Sequence, residues 1–556
     1  MSQSIVDHND ASKFTLCVLR TQIGKTFTTI DKILTEINND DESGRSIHMV
    51  FTMNTLLSNR QFSKRLDSIE QEYGFGSVVV FASGYNGAYT HIKNRQALQG
   101  LCFDERTCPR VVVMCSNSVR YEDAVEFTRI LDRNNHPQAN IRRAYCYYDE
   151  LHAYITDKLR EQIIEVHSMD IVKGITALTA TPEKILQNAG FWSRLRQIDL
   201  NEYNDKNYVG CDDMQFTTDD DFFAAYARPS ADALDAECIG FVEHTINTNP
   251  SILSEEDGSV IGKRVFIPAQ NRISSHCAIR ELIFRLCPRA VVVILNSKEK
   301  TLQYRDQKTN SMITQLLSSS KQEEVSETIA RIYKETDLTS RPLVITGFVC
   351  VGMGQTLSHH STGSFTSAIF SHLNLSNDEI YQLFGRITGR MKEWDTYTKT
   401  RVYCPTKIMM RCKAMEECAR NIANSHNGEI VSLDDYHAPL LNMGEIGEAV
   451  IENIRKRKEK STKIHKEDTD KDCKMCDNIE DAIAFVYEYF GHRMNKRTDI
   501  APKELLVEGG NPSEEYLMKR MWGLNKKSKF RVCPTNDNKW CIYWRPSLLI
   551  ETEDNI

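Results

Sequence analysis

The sequence predicts an α/β protein: two parallel-sheet domains in tandem, followed by a small α+β domain. Three observations carry this. Strand-like runs alternate with helical stretches from Phe14 to about Leu200. The alternation restarts at Arg264 after a polar stretch, and a compact tail of about eighty residues follows a charged run. Alternation at this spacing is the signature of parallel sheets covered on both faces.

The first series of apolar, β-branched runs is Phe14–Leu19, Ile47–Thr52, Ser77–Ala82, Val111–Cys115, Ala144–Tyr148 and Ile175–Leu178. Helical patterns at Asn59–Glu72 and Tyr121–Asp132 lie between them. The second series is Arg264–Ala269, Ala290–Leu295, Leu343–Thr346 and Thr400–Tyr403, separated by helices such as Ser275–Leu286 and Lys321–Glu335. Arg455–Lys474 reads as a solvated linker, with direct nucleic-acid contact as the sharper alternative. In the tail, Asn478–His492, Ala501–Leu506 and Pro512–Asn525 (Ser513 as N-cap) are helix candidates. Lys529–Cys533 and Lys539–Trp544 flank the turn-rich Pro-Thr-Asn-Asp-Asn and predict a hairpin. Three helices and a hairpin is the order of a winged helix. The expected boundaries are 1–225, 226–440, a charged linker 441–475, and 476–556.

The chain has 556 residues, 41% hydrophobic and 26% charged, which is ordinary for a globular protein. No apolar run approaches the ~18 residues that a membrane helix needs. Residues 1–10 carry neither a basic start nor an apolar stretch, so neither a secretory signal nor a membrane partner is expected. The 17 cysteines are scattered through strand-like and helix-like segments, as buried thiols are in a reducing compartment, cytoplasmic or nuclear. A net charge of −7 argues against indiscriminate coating of nucleic acid, but not against a basic track in one cleft.

Two segments carry the chemistry. Arg20-Thr-Gln-Ile-Gly-Lys-Thr26 follows the first strand and ends as a phosphate loop does. Its backbone, Gln22, Ile23, Gly24, Lys25 and Thr26, would cradle the phosphates of ATP. Lys25 would reach the outer phosphates, and the Thr26 hydroxyl would ligate magnesium. Asp149-Glu-Leu-His152 follows the fifth strand-like run. Asp149 would hold the magnesium, Glu150 would orient or deprotonate the attacking water, and His152 would relay to the moving parts. Without the upstream loop, the acids could simply dress a helix N-terminus. Thr179-Ala-Thr-Pro182 offers two hydroxyls that could couple the acidic pair to the rest of the protein. In the second series, Gln382-Leu-Phe-Gly-Arg-Ile-Thr-Gly-Arg390 places Arg386 and Arg390 four apart, on one helical face. Paired guanidiniums there would neutralise a transferring γ-phosphoryl group.

In this order the segments resemble a superfamily 2 helicase of the D-E-x-H type. The likeness runs from Gln22–Thr26 to Gln382–Arg390. Phe51–Leu57 resembles the family's segment that touches the nucleic-acid backbone. Thr346–Thr356, with Gly354 on the nucleotide, resembles the one joining nucleic acid and nucleotide. The resemblance implies two RecA-like domains, ATP with Mg2+ in the cleft between them, and single-stranded nucleic acid across their top. DNA is favoured over RNA. The compact motifs are also similar to those of helicase-like viral proteins from large DNA viruses and phages.

Three departures matter. Gln22 stands where the family usually has glycine. The arginine segment has one extra residue between its arginines, leaving open whether Arg386 or Arg390 is the finger. Little chain precedes the first strand to read adenine. The implied activity is that of an ATP hydrolase working as a helicase or translocase. The alternative is a nucleic-acid-stimulated ATPase that remodels complexes without separating strands. A binding module with a dead ATPase would not need Lys25, Asp149, Glu150 and both arginines intact.

Two further readings concern the tail. Lys519, Arg520 and a wing bearing Trp540, Tyr543 and Trp544 would contact duplex or forked DNA, unless these aromatics form the tail's core. Cys473 and Cys476 could join Cys533 and Cys541 around zinc, or remain reduced thiols.

Overall fold

The computed structural model describes residues 13–42, 44–53, 59, 62–84, 89–101, 107–134, 140–187, 206–224, 231–254, 261–270, 272–296, 298–317, 324–348, 356–371, 375–425, 431–452, 454, 472–491, 493–494, 500, 530–535 and 537–544. They fall into two compact units, residues 1–451 and 452–556.

The first unit holds two large sheets, the tandem RecA-like arrangement expected. The first sheet is built from β1 (Phe14–Val18), β2 (Arg45–Thr52), β3 (Val78–Phe81), β4 (Thr90–Ile92), β5 (Val111–Cys115), β6 (Ile141–Asp149) and β7 (Val172–Thr179). Their order is β1-β7-β6-β2-β5-β3-β4, and every pairing is parallel. β5 is Val-Val-Val-Met-Cys with all residues buried, as a strand covered on both faces requires. Parallel pairing puts the carboxyl ends of β1, β7 and β6 side by side. Val18 lies opposite Thr179, and Leu178 opposite Asp149. The loops that follow these strands therefore meet at one edge, the usual place for ligands in such sheets.

A short ribbon comes next, formed by β8 (Tyr208–Val209) with a partner described below. The second sheet contains β9 (Gln215–Thr218), β10 (Arg264–Pro268), β11 (Val291–Leu295), β12 (Lys300–Arg305), β13 (Met312–Leu316), β14 (Leu343–Gly347), β15 (Ser367–Ile369) and, after β16 (Gly389–Arg390), β17 (Arg401–Cys404). Its order is β13-β12-β11-β14-β10-β15-β17-β9. It is parallel except for the β11-β12-β13 meander. β9 lies ahead of the expected boundary at residue 225 yet pairs with β17, so the second sheet takes in chain assigned from the sequence to the first. The helix expected over Asn59–Glu72 is interrupted by a turn at Arg65–Leu66 before Asp67–Tyr73.

The second unit is built on β18 (Asp472–Cys476), β19 (Phe530–Pro534) and β20 (Trp540–Trp544), ordered β18-β20-β19 and antiparallel. The predicted hairpin is present. The end of the expected linker is a strand instead, because β18 completes the sheet on the far side of β20. One helix, Ile479–Phe490, packs on it through Ala482, Val486 and Phe490, against Phe530, Val532 and Trp544. The helices expected at Ala501–Leu506 and Pro512–Asn525, with Lys519 and Arg520, lie outside the described residues. Trp544 belongs to this small core with Trp540 packed against it, and Tyr543 is buried outside that cluster. Cys533 and Cys541 face each other across β19 and β20, while Cys473 and Cys476 lie on β18. Among the described residues no group of three or more His, Cys, Asp or Glu is placed to hold a metal ion, and no helix is long and apolar enough to cross a membrane.

Under the first sheet, His48 is fully buried between the Ser46 hydroxyl (3.0 Å from Nε2) and the Tyr147 hydroxyl (3.2 Å from Nδ1). Burial, with Arg110, Lys32 and Arg143 nearby, pushes its pKa from the ordinary 6.5 down to about 3. The folded form thus holds this imidazole neutral, while unfolding lets it take a proton below pH 6.5. Its contribution to stability is present above that pH and is lost as pH falls towards 3. Between these limits the slope approaches about 1.4 kcal/mol per pH unit. Denaturant melts from pH 7 to 4.5 should show His48→Asn losing that much less stability per unit than the parent. Parallel curves would refute the assignment.

Candidate active site

The loop after β1 turns through two residues with positive φ, Gln22 at 55° and Gly24 at 117°. Gln22 thus adopts the left-handed conformation that glycine takes more easily. Gly24 caps the helix Lys25–Asn38, whose first turn has no acidic residue to compete with an anion. Lys25 opens that helix with its side chain turned into the cleft. Its Nζ lies 3.0 Å from Glu150 Oε1, and both side chains are about nine-tenths buried.

Asp149 ends β6, and Glu150 follows with φ 54°, a strained conformation that turns the chain sharply into the short helix Leu151–Ala153. The two carboxylates diverge in character. Burial and the charge of Glu150 raise the pKa of Asp149, against the pull of Lys25 and Arg65. Burial also works to raise that of Glu150, but Lys25 outweighs it and holds Glu150 ionised. His152 is buried, and its pKa is pushed down to about 4 by that burial, although Glu150 pulls it up, so the ring is neutral near pH 7. Its Nδ1 is 2.8 Å from Thr179 Oγ1 and 3.4 Å from Glu150 Oε2.

From there a polar path crosses to the second sheet. The Thr181 N–H donates to Thr179 Oγ1 (2.9 Å), and Gln382 Nε2 donates to Thr181 Oγ1 (3.3 Å). The Thr-Ala-Thr-Pro segment thus joins the acidic loop to Gln382. The helix bearing Gln382, Asn377–Phe384, is capped by Ser376 and stops before Arg386. This corrects the expectation that Arg386 and Arg390 share a helical face. Arg386 sits in a short 3-10 turn, Gly385–Ile387, and Arg390 in β16. Both nevertheless line the same cavity. Arg386 is buried, its Nε donating to Gln382 O (3.3 Å), and burial lowers its pKa to about 10 although Glu150 pulls it up. Arg390 is exposed.

That cavity, about 290 Å³, brings together Gln22, Gly24, Lys25, Thr26, Asp149 and Glu150 from the first sheet with Gln382, Arg386 and Arg390 from the second. Three expected residues stand apart. The Ile23 side chain packs with Cys17, Leu19, Leu178, Tyr208 and Ala423 beneath the loop, and His152 lies behind Glu150. Gly354 is outside the described residues. Arg65, Thr21, Thr388 and Trp394 line the cavity without having been singled out from the sequence. Thr21 and Thr388 lay within recognised segments; Arg65 and Trp394 carry no spacing signal.

Thr21 is the centre of the seam beside the cavity. Its hydroxyl meets that of Thr388 at 2.9 Å, and its carbonyl accepts from the Tyr208 hydroxyl at 2.9 Å. Thr388 in turn donates to Gly385 O at 2.9 Å, so the proton between the two threonines comes from Thr21. β8 pairs antiparallel with β16, Tyr208 opposite Arg390. Arg20 lies 4.0 Å over the Tyr208 ring and 3.8 Å from Glu416, whose other oxygen accepts from Cys211 N–H.

No protein-family model matches this chain, and no curated protein does. Among solved structures it is similar to the ATP-dependent Type ISP restriction-modification enzyme LlaBIII bound to DNA, at 10% identity over 81% of this chain and 33% of that one, TM-score 0.45. It is also similar to the Pyrococcus furiosus Hef helicase domain, at 10% identity over 71% and 93%, TM-score 0.39. A third likeness is to Mss116p bound to ssRNA and AMP-PNP, at 11% identity over 78% and 74%, TM-score 0.38. The chain spans about a third of the length of the restriction-modification enzyme.

The seam makes its own prediction. A Cβ on Gly385 would come within 2.6 Å of Thr21 Cβ and 2.8 Å of its Oγ1. Gly385→Ala must push the loop away from the second sheet, at a cost of about 1–3 kcal/mol. Thermal melts of the nucleotide-free protein should show the loss, and an unchanged midpoint would contradict the contact.

Proposed function

We propose that the chain is an ATP hydrolase that works as a nucleic-acid helicase or translocase. One observation supports this above the others. Lys25 and Thr26, Asp149 and Glu150, and Gln382, Arg386 and Arg390 come from three distant stretches of sequence and two sheets, yet line a single cavity.

The chemistry follows from the side chains. A triphosphate entering the loop offers Lys25 a stronger anion than Glu150. Glu150, held ionised, is then released to orient a water and take its proton as that water attacks the terminal phosphoryl group. The bond to the ADP oxygen breaks in line. Arg386 and Arg390 neutralise the charge on the phosphoryl oxygens, and a desolvated guanidinium such as Arg386 acts more strongly than one in water. Magnesium fits this donor set. Asp149 is a buried carboxylate beside a second one, and Thr26 adds a hydroxyl, both hard oxygen ligands. Bound there, the ion would neutralise the polyphosphate.

The nucleic-acid half of the reading rests on Phe51–Leu57 and Thr346–Thr356, whose residues 54–57 and 349–355 lie outside the described set. Loss of the terminal phosphate would remove charge that draws Arg386 and Arg390 towards the first sheet, and the sheets would part and close once per turnover.

ATPase rates measured in parallel with single-stranded DNA, duplex DNA, RNA and no nucleic acid test both halves. Stimulation by at least one polymer is expected. Glu150→Gln should lower the rate by about a hundredfold or more, and Lys25→Ala should abolish it. Glu150→Gln turning over at the parental rate would overturn the mechanism, and a rate indifferent to every polymer would overturn the motor.

A further inference from the structure

Arg65 has no part in the motifs, yet it touches both sides of the cleft. It sits in the turn that breaks the helical stretch before Asp67–Tyr73, with its N–H on Phe62 O and the next N–H on Ser63 O. Phe62 and Leu66 are buried on either side of Arg65, so the backbone is fixed while the guanidinium lines the cavity. One nitrogen donates to the Thr26 hydroxyl at 3.0 Å, and the other donates to Glu324 Oε1 at 3.1 Å. Glu324 belongs to the second sheet's half. It caps the helix Val325–Glu335, and its N–H is held by Glu327, which also pairs with Lys64 at 2.7 Å.

Resting on the nucleotide reading of the site, we propose that Arg65 is a further substrate-binding residue that reads the terminal phosphate of a nucleoside triphosphate. In the empty cleft it is parked on Thr26, the hydroxyl that the metal-bound nucleotide requires. A guanidinium and a divalent cation would repel at one hydroxyl, so magnesium held by Thr26 and Asp149 would disfavour the Arg65 contact. The richest anion within the same cavity is then the terminal phosphate, which suits the planar fork of arginine. Glu324, fixed by its helix, limits where the guanidinium can go and keeps it over the cavity. Arg65 therefore distinguishes triphosphate from diphosphate, from the first sheet's side of the cleft.

The test is equilibrium binding, without turnover. Fluorescent ADP and its imido-triphosphate counterpart, each with magnesium, are titrated against the full chain and against Arg65→Ala, Arg65→Lys and Lys25→Ala. Arg65→Ala should reduce the preference for triphosphate over diphosphate by about tenfold or more, with diphosphate affinity nearly kept. Arg65→Lys should restore part of it. The Arg65 side chain is 40% exposed, so these variants should fold, and nucleotide-free melts check that they do. An unchanged preference in Arg65→Ala, or equal weakening of both nucleotides, would overturn the proposal while leaving the site intact. Parental protein that binds neither nucleotide, or Lys25→Ala that binds both as well as the parent, would instead overturn the reading of the site itself, and this proposal with it.

Discussion

The ion pair between Lys25 and Glu150 is the constraint on which the cavity depends. Two adjacent buried carboxylates cannot both stay ionised beside a single neutral histidine. Lys25 Nζ, 3.0 Å from Glu150 Oε1, decides which one does. It stabilises the charge on Glu150 and leaves Asp149 as the acid whose proton affinity rises. Removing either partner of such a pair strands a buried charge, at a cost of about 3–5 kcal/mol. In the proposed reaction, a phosphate that replaced Glu150 would strand nothing on Lys25, which would keep an anion, and Glu150 would gain the freedom to face water. Under that proposal the empty and the filled cleft use the same lysine.

Glu150 is linked to the second sheet's half through neutral groups. His152 is uncharged near pH 7, and Thr179, Thr181 and Gln382 carry no charge at all. A path of hydrogen bonds between neutral groups costs little desolvation when it is broken and remade, unlike a chain of buried ions. It can therefore respond to the state of the acidic loop without dominating the stability of either sheet.

Much of the fold was legible because parallel strands buried on both faces leave little choice of residue. Val111–Cys115 and Val291–Leu295 could be read almost to the residue. The motif residues that the cavity unites were legible because each follows such a strand or lies in a recognisable segment. The misses have physical causes. β9 and β18 are short and polar, and only their neighbours make them strands. The helix before Arg386 ends where Gly385 must let Thr21 approach, which is a long-range constraint that no local spacing records. Arg65 was invisible because its partners, Thr26 and Glu324, are 39 and 259 residues away.

The two ends of the cleft are held by different forces, and this bears on how the sheets could move apart. At one end Thr21, Tyr208, Gly385 and Thr388 are packed without solvent, and β8 adds backbone pairing to β16. At the other, Lys64–Glu327 and Arg65–Glu324 are part-exposed ion pairs. Pairs of that kind contribute about 0–1 kcal/mol each and weaken with salt. Overlapped packing and buried hydrogen bonds are costlier to separate, because each donor and acceptor left dry loses its partner. Any opening that preserves the seam must therefore swing about Thr21 and part the ionic end first. That motion carries Arg386 and Arg390, which lie beside the seam, through a shorter arc than Glu324. The arginines would stay close to the loop after β1 while the entrance at Thr26 clears.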